Sequence, residues 1–149
     1  MLRMSKMTDY GSVVLASLAR DPNAVHAAGE VADHTGLTLP TVSKLLKALA
    51  RAGLVRSYRG AHGGYALTRK ASEITAAEII DALEGPIAIT ECSGLSSHCS
   101  VESVCALSGR WQRVNRAIRF ALQEISLEQL MGPRPLPNIN LSATLSDGA

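Results

Sequence analysis

Three cysteines, one phenylalanine, one tryptophan and three tyrosines are all the thiols and large aromatic side chains that the 149 residues contain. With aromatics at 3%, any core must be assembled from Leu, Ile, Val and Ala, a supply that favours helices. An odd number of cysteines excludes a fully paired disulfide framework and points to metal ligation or redox sensing in a reducing compartment. No apolar run approaches the roughly 20 residues that span a bilayer. The first residues, MLRMSKMTDYGS, also lack the unbroken apolar stretch of a signal peptide. A cytoplasmic protein with no membrane partner is therefore expected. No nucleophile stands beside a base, and there is no carboxylate pair or phosphate-binding glycine loop. That speaks against an enzyme and against a small-molecule substrate.

One further lack is local. Between Pro40 and Lys70 there is no acidic residue, while Lys44, Lys47, Arg51, Arg56, Arg59, Arg69 and Lys70 all fall there. A net charge of only +2 hides this block. A run of one sign inside folded sequence is the footprint of a phosphate-binding surface.

Taken in order, the chain predicts a helix through Tyr10, Val13, Val14 and Leu18, with Thr8 as its N-cap and an end near Asp21-Pro22. A short helix from about His26 to His34 follows, turning Val25, Ala28 and Val31 inward and stopping at Gly36. The third helix begins at Thr38 or Leu39 with Pro40 in its first turn, and Val42, Leu45, Leu46 and Leu49 form its buried stripe. Its other face carries Thr41, Ser43, Lys44, Lys47 and Arg51, side chains able to reach phosphates and base edges in a major groove. After Gly53, the segments 54–59 and 65–68 read as two strands around the turn Gly60-Ala61-His62-Gly63-Gly64. A hairpin directly after a recognition helix is a wing. Arg56 on its strand, with Arg59, His62 and Gly63 towards its tip, completes the predicted DNA-binding set. Of the other histidines, His26 reads as a surface or cap residue and His34 as a helix-end residue.

Thr75 with Glu78 forms a capping box that opens a helix ending at Gly85-Pro86, whose Ile79, Ile80 and Leu83 face the DNA-binding domain. From Val104, the residues Val104, Leu107, Trp111, Val114, Ile118, Ala121 and Ile125 are spaced alternately three and four apart, as in a coiled-coil seam. A small domain cannot cover such a stripe, so a partner helix from a second copy is expected, giving a homodimer. Arg110, Arg113, Arg116 and Arg119 recur every three residues and read as a solvated face. Ser126 caps one short final helix. The tail is rich in proline, serine and asparagine, as disordered segments are. The expected architecture is mainly α. A winged helix-turn-helix domain occupies 1–88 with a two-stranded wing, a cysteine loop occupies 89–106, a long dimerisation helix and a short final helix occupy 104–131, and a disordered tail occupies 132–149.

The order of these elements, with the runs GLVRSYRGAHGGY, ALEGPIAITEC and RWQRVNRAI, resembles the Rrf-two family of winged-helix transcription regulators over roughly residues 1–131. The subgroup that regulates the SUF iron–sulfur assembly system is closest in look. Relatives in that family include the Isc-system cluster regulator and the nitric-oxide-sensing repressors. The resemblance implies a homodimer on double-stranded operator DNA, acting as a repressor of cluster assembly genes and carrying an iron–sulfur cluster on the cysteine loop. Cys92, Cys99 and Cys105 are then the thiolate ligands.

The chemistry of those residues is compatible. Thiolates are the usual ligands of iron–sulfur clusters, and spacings of seven and six residues let a loop wrap one. The close cysteine pairs of structural zinc sites are missing. Cofactor-free thiol redox sensing is the alternative reading, and a cluster carrier is a weaker one. Three cysteines leave one ligand position open. Isc-type regulators place a histidine where this chain has Ser108. The nitric-oxide sensors use an aspartate of the first helix from the other subunit, and Asp9 stands in the matching place, with His98 as second candidate. Both 2Fe-2S and 4Fe-4S clusters fit such a set. Some relatives carry an acidic residue at the position of Ser43, so their operator does not transfer.

Overall fold

The computed structural model describes residues 3–94, 99–133 and 136–142. Six helices and one hairpin are found among them. α1 spans Lys6–Ala19, α2 Ala28–Thr35 and α3 Leu39–Arg51. The strands β1 (Val55–Tyr58) and β2 (Gly64–Leu67) follow, then α4 (Ala76–Glu84), α5 (Ser108–Gln123) and α6 (Leu127–Met131). Single 3-10 turns lie at Ala71–Glu73, Glu91–Ser93 and Glu102–Val104.

α1 begins at Lys6, two residues before the expected cap. Thr8 is buried inside the first turn instead, because its hydroxyl donates to the Glu84 carboxylate at the end of α4, and the Ser5 N–H donates to the same oxygen at 2.7 Å. Gly11 serves the same junction: a Cβ there would run into the Leu83 side chain, so its absence lets α1 and α4 close up. α2 ends as expected on Gly36, whose φ of 72° is the left-handed conformation glycine adopts without cost. Val25 does not turn inward; it is 39% exposed, since it precedes α2 and lies outside the helical stripe. α3 starts after Thr38 with Pro40 in its first turn, and its four stripe residues Val42, Leu45, Leu46 and Leu49 are fully buried. Each buried leucine contributes about 2 kcal/mol. They pack on Val14, Leu15 and Leu18 of α1, Val31 of α2, and Ile74 and Ile79 at the α4 side.

The hairpin is antiparallel with Val55 opposite Leu67 and Tyr58 opposite Gly64. The Thr75 capping box forms as expected: Thr75 Oγ1 accepts the Glu78 N–H at 3.2 Å and Glu78 accepts the Thr75 N–H at 2.9 Å. Ile79 is buried and Leu83 packs against the core, whereas Ile80 lines a groove shared with Ile118 and Leu122 of α5. α5 opens at Ser108, so Val104 and Leu107 precede it; Val104 sits in a 3-10 turn and Cys105 in irregular chain. Ser126 caps α6 through Gln129, and Leu127 is fully buried in the N-terminal core. Two backbone bonds seal this return, Ala76 N–H to Ile125 O at 2.8 Å and Leu127 N–H to Ile74 O at 2.7 Å. No helix is long and apolar enough to cross a membrane among the described residues.

Candidate nucleic-acid interface and thiol segment

The stripe that buries α3 leaves its opposite face outward. Lys44, Lys47 and Arg51 are exposed, and Thr41 and Ser43 are half-buried beside them. The Thr38 and Thr41 hydroxyls pair at 2.8 Å, which fixes Thr41 at the start of the helix. β1 packs on α3 and carries Arg56 outward. Arg59 and His62 are exposed in the turn beyond it, and Gly63 is half-buried there. Arg69 is different: its guanidinium donates to Glu78 at 2.8 Å and to the Glu73 carbonyl at 3.1 Å. Burial pushes the Glu78 carboxyl up, but the Thr75 N–H and Arg69 outweigh it and hold it below its ordinary value. Arg69 thus belongs to the cap of α4.

The wing is anchored by a residue that sequence reasoning placed at the surface or at a helix cap. His26 is buried, and its backbone exchanges two bonds with Tyr65, His26 N–H to Tyr65 O at 2.9 Å and Tyr65 N–H to His26 O at 2.8 Å. Its ring Nε2–H donates to the Asp21 carbonyl at 3.0 Å, and Nδ1 lies 3.6 Å from Glu30. The chain ahead of α2 is therefore a third, one-residue strand beside β2. Such close approach requires Gly64, where a Cβ would strike the His26 carbonyl, and a Cβ on Gly63 would strike the Tyr58 carbonyl. The Gly-Gly of the wing motif is a packing requirement on two separate backbones, a sharper signal than a turn alone.

Cys92 is buried in the turn Glu91–Ser93, while Cys99 and Cys105 are half-buried, and all three thiols are free. Thr90 Oγ1 lies 3.3 Å from Cys92 Sγ. Asp9 is exposed on the first turn of α1. His98 lies outside the described residues. Three unpaired thiols on one short segment are the donor chemistry that an iron–sulfur cluster takes. Among the described residues of the single chain, however, no three His, Cys, Asp or Glu side chains come together at one point.

α5 contributes side chains that the heptad reading did not single out. Asn115 is buried, and Gln112 is half-buried and bonded to the Cys92 carbonyl. An asparagine in mid-helix has poor helix propensity, the one signal in the sequence that it is held for its bonds. Arg119 is not part of a solvated face. It pairs with Asp81 through both guanidinium nitrogens, at 3.1 and 2.6 Å, and this bond raises its pKa further above the usual value. Along the predicted seam, Val104, Leu107, Trp111 and Val114 are exposed, with Val104 at 82%, whereas Ile118, Ala121 and Ile125 are half-buried against the chain itself.

Residues 4–133 match a family model described as "Rrf2: Iron-dependent Transcriptional regulator". The chain is 30% identical over 141 residues to Protein aau3 of Rhizobium meliloti, covering 94% of this chain and 92% of that protein. It is 34% identical over 102 residues to the HTH-type transcriptional regulator IscR of Photorhabdus laumondii, covering 68% of this chain and 62% of that one. Among solved structures it resembles CymR, the global cysteine regulator of B. subtilis, with a TM-score of 0.67 at 30% identity, covering 88% of this chain and 97% of the other. It also resembles IscR of T. potens, with a TM-score of 0.62 at 30% identity over 87% of this chain and 86% of that one.

Proposed function

Because the chain belongs to the Rrf2 family of DNA-binding transcriptional regulators, we propose that it is a homodimeric repressor of iron–sulfur cluster assembly genes of the SUF type, switched by a cluster on its cysteine segment. The observation that carries this reading is the set of three free thiols within one segment, whose Cys92 end is held against α5. Cys92, Cys99 and Cys105 would hold the cluster, and Asp9 of the partner subunit would close the set, the role assigned to it by likeness to the nitric-oxide sensors. A bound cluster supplies a link between thiolates that is sensitive to oxygen, nitric oxide and iron supply.

The chain's own residues do the rest. Lys44, Lys47, Arg56, Arg59 and His62 meet phosphates and the minor groove, and Thr41 and Ser43 face base edges. Gly63 brings the wing turn close to the duplex. Two recognition helices in a dimer must match half-sites one helical turn apart or a multiple of it. A change in how α1 of one subunit meets the thiol segment of the other alters that spacing, and with it operator affinity.

The test is protein purified without air. The proposal expects visible absorption, stoichiometric iron and acid-labile sulfide, all lost in Cys92→Ala. Its DNA affinity should also fall steeply with salt. Colourless, iron-free protein in wild type rejects the cluster. A second reading has its own support: CymR of Staphylococcus aureus, structurally similar with a TM-score of 0.64, has been solved in an oxidised form. On that reading the thiols themselves sense oxidants, and iron-free protein would still change its DNA affinity on treatment with peroxide.

A further inference from the structure

Two polar side chains of α5 reach back onto the backbone on either side of Cys92. Gln112 donates its Nε2–H to the Cys92 carbonyl at 3.2 Å. Asn115, 8% exposed, makes three bonds: Oδ1 accepts the Ile89 N–H at 3.2 Å, and Nδ2 donates to the carbonyls of Ile87 at 3.0 Å and Ser93 at 3.3 Å. The chain from 87 to 93 is thus stitched to one helix at four points. The stitching continues. The Ile87 N–H also donates to Asp81 Oδ1 at 3.3 Å, the same carboxylate that Arg119 of α5 grips. Asp81 lies on α4, which packs against both α3 and α1, and whose Glu84 holds the start of α1 through Ser5 and Thr8.

A buried amide is costly unless its donors and acceptor are used, and these are. Neither a carboxylate nor an aliphatic side chain can replace Asn115, since the first cannot donate twice and the second can do neither job. Backbone carbonyls, which no substitution elsewhere removes, are the partners of three of the four bonds. Residues 87–93 therefore cannot shift relative to α5 without leaving buried polar groups unpaired.

We propose that Gln112 and Asn115 are positioning residues that lock the Cys92 thiol to α5, so that a change at that thiol is transmitted through Ile87 and Asp81 to α4 and the recognition helix. The transmission rests on the sensor reading given above; the lock itself does not. Two measurements separate them.

The first uses metal-free reduced protein in which Cys99→Ser and Cys105→Ser leave Cys92 as the sole thiol, alkylated with N-ethylmaleimide and followed by mass spectrometry. Asn115→Asp keeps the acceptor and loses both amide donations, and Gln112→Glu loses its one. Each is expected to raise the alkylation rate about tenfold, the factor that corresponds to about 1.4 kcal/mol in local opening. An Arg116→Ala control, exposed on α5, should leave the rate unchanged. Circular dichroism verifies folding, and if Asn115→Asp unfolds, the half-buried Gln112 carries the test. Unchanged rates in folded variants overturn the lock.

The second measurement keeps all three cysteines and uses a duplex selected from random sequence for binding to this protein. The ratio of affinities between anaerobically isolated and air-oxidised protein is expected to collapse towards one in Gln112→Glu while one state still binds. An unchanged ratio overturns the transmission. A wild-type ratio of one rejects the sensor reading and the transmission with it, and the alkylation result still decides the lock.

Discussion

Gly64 shows how much one missing methyl can decide. A Cβ at this position meets the carbonyl and amide of two other backbone residues, His26 and Ala27, which cannot rotate away as a side chain could. Gly64→Ala is therefore expected to cost about 2 kcal/mol and to loosen the wing from the His26 bridge. A lower melting temperature, together with weaker DNA binding by fluorescence anisotropy, would check both parts. Gly29 makes the contrast, because a Cβ there meets nothing within 4 Å and the residue is helical. Gly29→Ala should be neutral or stabilising by about 0.5 kcal/mol. Sequence alone identifies both residues only as glycines. It marks the wing pair as a turn but not that two backbones pass within contact distance, since that approach joins residues 26 and 64 through packing.

At the level of elements, α5 has two faces with different fates. One is engaged with the chain itself through Gln112, Asn115 and Arg119, and the other leaves Trp111 and Val114 more than 40% exposed. On the proposed reading a second copy covers that outer face. Val114→Asp places a charge in such a seam and is expected to convert dimer to monomer in light scattering after size exclusion, while far-ultraviolet circular dichroism stays unchanged. A dimer that persists in this variant places the interface elsewhere. The wing makes a separate prediction. If Arg59 meets one phosphate, Arg59→Ala weakens binding across sequences and lowers the slope of log affinity against log salt by about one. The periodicity made the outer face of α5 legible. It overextended the helix, because Val104 and Leu107 keep the spacing of the stripe in chain that becomes α-helical only at Ser108.

For the molecule as a whole, stability is tied to carboxylates that clip distant parts together. Hydrogen bonds from Thr8 and from the Ser5 backbone hold the Glu84 carboxyl below its ordinary value of 4.5, and Glu78 is also lowered by bonds from Thr75 and Arg69 that exceed the effect of burial. A folded-state value depressed in this way stabilises the protein above the unfolded pKa, and the contribution is lost as pH falls through the lowered one. Melting temperature should therefore drop as pH is taken from about 5 towards 3. Glu84→Gln should be less stable at pH 7 and show a shallower drop; an identical pH profile in that variant removes Glu84 from the account. Leu127 makes the same point without charge. Through Leu127, α6 returns to the first core, so the winged-helix unit is completed by residues on both sides of the thiol segment.

What the sequence determined by itself is local. The stripe of α3, the Thr75 cap, the left-handed Gly36, the basic block from 44 to 70 and the three-cysteine segment each follow from residue type and short-range spacing, because helix period, capping and charge act over a turn or two. Tertiary structure alone decided that His26 is buried, that Arg119 pairs with Asp81, that Thr8 meets Glu84 and that Asn115 grips the chain beside Cys92. Those partners lie 22 to 76 positions apart, and only the packing of helices across the core brings them within bonding distance.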